Sequence, residues 1–191
     1  MVPVSGTFFG APRATLTAPD TASILCLAGA VRPRAGEEAT MPTARESLLD
    51  AAGAALERRP WRRVRMVEVA ASAGVSRQTL YNEFGDKAGL GAALATHRTT
   101  ALLDGFAAQL ARVRSLDGAA DWLLATARAD RVVRAALTGC RCDCAGAPPV
   151  ATRPERLLRE LSARASRALP HHSATTCETA IRLALSRLIA P

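Results

Sequence analysis

Two groups of residues in this sequence have types and spacings suited to chemistry. The first is the run Met66-Val-Glu-Val-Ala-Ala-Ser-Ala-Gly-Val-Ser-Arg-Gln-Thr-Leu-Tyr-Asn-Glu-Phe-Gly-Asp-Lys87. Leu80 and Phe84, at i and i+4, give a short helix one buried face. Arg77, Gln78, Tyr81 and Asn82 are left facing outward near its start, where contacts to the DNA major groove are made. A preceding helix needs a small residue where the two cross, and Ala70 supplies it. Gly74 permits the tight turn, Val75 plugs it with an apolar side chain, and Ser76 caps the helix that follows. The second group is Cys140-Arg-Cys142-Asp-Cys144, with His171, His172 and Cys177 elsewhere in the chain. Its thiolates could surround a thiophilic metal or respond to oxidation. The spacing is no familiar zinc pattern, and an incidental surface loop is the competing reading. No metal ligands and no cofactor are assigned.

The elements that position these groups read as helices throughout, so the expected fold class is all-α. Thr43-Ala-Arg-Glu46 fits a capping box opening a first helix with Ala44, Leu48, Ala52, Ala55 and Leu56 at helical spacing. Pro60 stops it. A second helix spans about Met66 to Ala73, a third follows Ser76, and Gly85 ends the third. Asp86 caps a longer fourth helix bearing Leu90, Leu94, Ala101 and Leu102. Beyond it, Asp117 is the expected cap of a helix with Ala120, Leu123, Leu124 and Ala127, which continues or restarts near Asp130. Residues 139–153 form a loop, and Pro154 suits a first helical turn leading to the stripe Leu157, Leu158, Leu161 and Ala165. Thr175-Thr-Cys-Glu178 reads as a second capping box before Ile181, Leu183, Ala184, Leu185, Leu188 and Ile189. Phe106 and Trp122 fit core positions.

Residues 1–40 carry Gly, Pro, Thr and Ser without sustained helical periodicity. They are expected to be a flexible leader or an over-extended reading frame before a natural start at Met41. The expected organisation is therefore 1–40 leader, 41–95 DNA-binding domain and 96–191 helical effector-binding and dimerisation domain.

Hydrophobic residues make up 49% and charged residues 22% of 191, a globular rather than disordered balance. The net charge of +8 suits an anionic partner, although 24 of the 25 basic residues are arginine, a bias typical of GC-rich coding. Five cysteines, an odd number, make no secreted disulfide scaffold. No apolar run reaches the ~18 residues of a membrane span, and the apolar stretch 23–31 lacks the basic flank of a signal peptide, so a cytoplasmic protein is expected. A phosphate-cradling glycine loop, a His-Glu-x-x-His motif and a placeable nucleophile triad are all missing, so no enzyme is expected.

From Val69 to Leu90 the sequence keeps every fixed position of Val-Ala-x-x-Ala-Gly-Val-Ser-x-x-Thr-Leu-Tyr-x-x-Phe-x-x-Lys-x-x-Leu. In this it resembles the TetR family of helix-turn-helix repressors, and the resemblance covers residues 43–95. It implies that Arg77 and Gln78 face base edges, an Arg suiting guanine O6/N7 and a Gln suiting adenine. Thr79, Tyr81 and Lys87 would meet backbone phosphates, with Ser76 and Asn82 also at the DNA-binding surface. It further implies a homodimer on a palindromic operator in double-stranded DNA, joined through its last helices. A small apolar effector in the C-terminal domain would weaken operator binding.

Two departures from the family pattern stand out. Val64-Arg65-Met66 lacks the Thr or Ser cap expected before the second helix, leaving Arg65 to take the phosphate role. Glu83 would repel DNA and is expected to turn away towards an arginine. The five arginines of Arg58-Arg59-Pro-Trp61-Arg62-Arg63-Val-Arg65 read either as a phosphate-facing cluster or as a solvated loop pinned by Trp61. Two alternatives stay open, a thiol- or metal-responsive regulator acting through Cys140, Cys142 and Cys144, and a helix-turn-helix protein without a regulatory role.

Overall fold

The computed structural model describes residues 42–139, 146–148, 150 and 153–189. Among these the fold is all-α, as expected, with eight α-helices and one 3-10 turn. They are α1 (Ala44–Arg58), the turn Trp61–Arg63, α2 (Met66–Ser72), α3 (Arg77–Phe84), α4 (Lys87–Val113), α5 (Leu116–Ala129), α6 (Arg131–Thr138), α7 (Pro154–Ala168) and α8 (Ala174–Ile189). Residues 1–40, expected as a leader, and Cys140, Cys142 and Cys144 lie outside the described residues.

Helix ends follow local chemistry. Thr43 forms the full capping box, its hydroxyl accepting from the Glu46 N–H at 3.2 Å while the Glu46 carboxylate accepts from the Thr43 N–H at 2.8 Å. Those bonds satisfy two of the donors that a helix start leaves open, and the Thr43 N–H, helped by the Thr43 hydroxyl, holds the Glu46 carboxyl below its ordinary pKa. Asp130 restarts the chain as α6 by accepting from the N–H groups of Val132 and Val133. Pro154 occupies the first turn of α7.

Three expectations shift by a few residues. The cap of α5 is Ser115, whose hydroxyl accepts from Gly118 N–H, while Asp117 sits inside the first turn and adds its charge to the positive end of the helix. At α8, Ser173 accepts from Thr176 N–H, and Glu178 pairs with Arg182 one turn on instead of reaching back from the Thr175 box. On α4 the inward position is Thr99, with its hydroxyl bonded to the Ala95 carbonyl, while Ala101 is exposed.

Two apolar clusters result. Leu48, Leu49, Ala52, Leu56, Trp61, Val69, Ala70, Leu80, Phe84, Leu90 and Leu94 fill the first, within a three-helix head seated on the start of α4. Leu102, Phe106, Leu110, Leu123, Leu157, Leu161, Leu169 and Ile181 fill the second, in the body formed by α4 to α8, with Trp122 packed at its margin. Helix α4 runs unbroken through both. Val132 of α6 is buried in the head cluster while its neighbour Val133 belongs to the body. Arg98 of α4 adds an ion pair to Asp130 (3.5 Å) and lies against Gly53 of α1, where any Cβ would collide with its guanidinium.

Candidate nucleic-acid interface

The geometry of the expected recognition element begins with the end of α2. Val75 N–H bonds to the Ala70 carbonyl (3.0 Å) and Gly74 N–H to the Ala71 carbonyl (3.2 Å). This pair of bonds is the Schellman arrangement, which requires a left-handed residue, and Gly74 sits at φ +67°. The turn brings Ser76 to the start of α3, where its hydroxyl accepts from Thr79 N–H (3.0 Å) and shares a bond with the Thr79 hydroxyl (2.8 Å). Leu80 is fully buried and Phe84 nearly so, anchoring the inner face, and Ala70 is buried at the crossing of α2 and α3. Burying each such large side chain stabilises the fold by about 1.5–3 kcal/mol.

The outer face of α3 presents Arg77, Gln78, Tyr81 and Asn82, all exposed. Tyr81 retains 47% exposure, unusual for a ring of its size, and its hydroxyl end is available to a polar partner. Gln78 donates to the Asn82 side-chain oxygen (2.8 Å) across one helical turn. That bond uses one of the two Gln78 amide hydrogens. The other hydrogen and the carbonyl oxygen suffice for a bidentate pairing with adenine N7 and N6. Arg77 makes no hydrogen bond or ion pair among the described residues.

Two ties hold α3 and α2 from behind. Glu83 turns away from the outer face and meets Arg45 of α1 (3.4 Å), whose guanidinium also lies 4.8 Å from the centre of the Phe84 ring. The expected arginine partner is therefore Arg45. Glu68 of α2 pairs with Arg59 at the end of α1. The arginine cluster thus divides. Trp61 is buried and pins the turn, Arg59 is committed to Glu68, and Arg58, Arg62, Arg63 and Arg65 are exposed. As expected, α2 begins without a side-chain cap, and Arg65 occupies the cap position.

Lys87 stands at the start of α4, after the Asp86 cap that accepts from Gly89 N–H (2.7 Å). Its ammonium donates to the Arg62 carbonyl (2.9 Å) and lies 5.7 Å from the centre of the Trp61 ring. Partial burial lowers its pKa. One of its three donors is used in this bond, which joins the arginine turn to α4. Sequence reasoning gave Lys87 a phosphate and missed this second role. It also missed the partner role of Arg45 and the close packing of Gly91 against Pro148 and Trp61, for which a glycine inside a helical pattern was the available signal. Ser76, Arg77, Gln78, Thr79, Tyr81 and Asn82 are gathered on one helix and its cap, while Arg65 and Lys87 stand at the starts of α2 and α4.

Among the described residues no group of His, Cys, Asp and Glu is arranged to hold a metal ion. His171 and His172 lie together, ring centres 4.7 Å apart, between α7 and α8. No described helix is long and apolar enough to cross a membrane.

Residues 48–94 match the family described as bacterial regulatory proteins, tetR family. The HTH-type transcriptional regulator AlkX of Mycobacterium tuberculosis is 41% identical over 73 residues, which are 38% of this chain and 35% of that protein. The chain thus spans about a third of the length of the curated relative it matches. A solved structure, the TetR family repressor AlkX from a Dietzia strain implicated in biodegradation of n-alkanes, is 23% identical. It covers 78% of this chain and 85% of its own, with a TM-score of 0.48.

Proposed function

We propose that the protein, whose residues 48–94 match the tetR family of bacterial regulatory proteins, is a sequence-specific DNA-binding transcriptional repressor responsive to a ligand. The observation that carries this reading is the capped helix α3. Its inner face is locked by Leu80 and Phe84, and its outer face offers Arg77, Gln78, Tyr81 and Asn82. Arg77 and Gln78 read base edges, the first suited to guanine and the second to adenine. Ser76, Thr79, Tyr81, Asn82, Arg65 and Lys87 complete the surface, the hydroxyls and cations fixing register on the phosphates.

The protein acts as a cytoplasmic homodimer. Two α3 helices enter successive major grooves of a palindromic operator about one helical turn apart. Leu183, 63% exposed on α8, supports placing the dimer contact on the last helices. The body from residue 96 onward holds the effector, a small apolar molecule in keeping with its Ala, Leu and Val content. The chemistry is recognition, not catalysis.

Selection of bound duplexes from a random pool, followed by sequencing, tests this reading. One palindrome should be enriched. Arg77→Ala and Gln78→Ala should each relax one position of it, at a cost of about 1–3 kcal/mol in discrimination. Enrichment of no sequence at moderate salt would refute the proposal.

A further inference from the structure

Beyond α6 the chain returns to the head. Trp61 N–H donates to the Gly146 carbonyl at 2.8 Å, although the two residues are far apart in sequence. Gly146 itself is left-handed (φ +63°), and a Cβ there would lie 3.3 Å from the Cβ of Pro60. Two residues on, buried Pro148 reaches Gly91 of α4, where a Cβ would stand 3.0 Å from Pro148 Cβ and 3.0 Å from Trp61 Cζ2. Val150 then packs against both apolar clusters. The segment therefore closes over the same turn that Lys87 holds through the Arg62 carbonyl. That turn is only three residues long. Its own backbone bonds are those from Arg63 N–H to Pro60 and from Val64 N–H to Trp61. So short an element takes much of its order from what packs on it.

We infer that the Gly146–Pro148 segment is a positioning strap through which the helical body sets the strength of DNA binding. The inference rests on the DNA-binding reading above and adds a means of control to it. Seated, the strap fixes Trp61 and presents Arg62, Arg63, Arg65 and Lys87 to the phosphate backbone as one set. Lifted, it leaves Arg62 and Arg63 on a loose turn, and fewer of the four cations engage together. Any event that moves the chain beyond α6 then reaches the phosphate-facing cations without passing along α4. The Arg98–Asp130 pair is a separate link between body and head.

The test uses the full chain and anisotropy titrations with a mixed-sequence duplex of about 30 base pairs, at salt from about 50 to 200 mM. Gly146→Ala strains the left-handed backbone and presses on Pro60, and Gly91→Val drives a wedge between Pro148 and Trp61. Each should weaken binding about tenfold near 0.1 M salt and lower the log-log salt slope by about 2, at ~0.9 for each phosphate no longer neutralised. In a cycle with Arg62→Ala/Arg63→Ala, Gly146→Ala should lower the slope little further, because both changes act on the same cations. Gly146 lies outside the helices and the buried clusters, so its variant carries the test even if Gly91→Val disturbs the core. Salt slopes unchanged from the parent in both strap variants, or fully additive effects in the cycle, would overturn the inference. Failure of the parent protein itself to show salt-dependent binding would instead remove the DNA-binding reading on which it rests.

Discussion

Gly74→Ala separates the backbone demand of the helix-turn-helix from every other contribution. Gly74 holds φ +67° and no atom lies within 4 Å of where its Cβ would be. The added methyl meets nothing, so the whole cost is that of placing an L-residue in the left-handed region, about 1–2 kcal/mol. Gly74→Asn should recover part of it, because Asn tolerates that conformation better than Ala. Stability measured by urea unfolding should therefore rank Gly above Asn above Ala. Native stability is typically about 5–15 kcal/mol, so the Ala variant stays folded. With the two Schellman bonds and the Ser76 cap retained, the folded variant should bind duplex DNA within about threefold of the parent, a difference under ~1 kcal/mol. A loss of stability above ~4 kcal/mol would mean the turn cannot keep its shape. No loss at all, or equal losses for Asn and Ala, would mean that the left-handed conformation is not what the position requires.

Two further outcomes follow from charges on the head. The Arg45–Glu83 pair spans 3.4 Å with both side chains well exposed, so a double-mutant cycle with alanine should give a coupling below ~1 kcal/mol. Raising salt to about 0.5 M should erase it; a coupling that persists there would show a desolvated pair. The Glu46 carboxyl is held below its ordinary pKa of 4.5, chiefly by the Thr43 N–H. Its folded pKa is the lower one, so its contribution to stability is full above the unfolded value and fades as pH falls through the folded value. The stability gap between the parent and Glu46→Gln should be constant near neutrality and shrink on titration from about pH 6 to about pH 3. A gap that stays constant to the acid end would dismiss the role given to that bond.

The head was legible because its signals are local and mutually consistent. Thr43, Ser76, Gly74 and Asp86 each make, within a few residues, the cap or turn that their types demand. Glu83 could be expected to turn towards an arginine because a carboxylate on the groove face is unfavourable, but the partner, Arg45, lies 38 residues away and no pattern names it. The caps of α5 and α8 were misplaced because each lies in a run with several competent oxygens. Packing and the Glu178–Arg182 pair decided between them. What joins head to body was the least legible. Arg98 on Gly53, Val132 in the head cluster and Gly146 under Trp61 are meetings of distant positions whose residue types announce nothing.

Lys87 is the one lysine among 25 basic residues, and its ammonium closes the joint between the arginine turn and α4. Acylation of lysine side chains, enzymatic or by metabolite thioesters, therefore has a single side-chain address in this chain. Modification there would neutralise a small part of the total charge, but it would remove that charge at the joint beside Trp61. Arginine elsewhere is inert to this chemistry, so the arginine-biased composition leaves the head with one lysine side chain, placed where α4 begins.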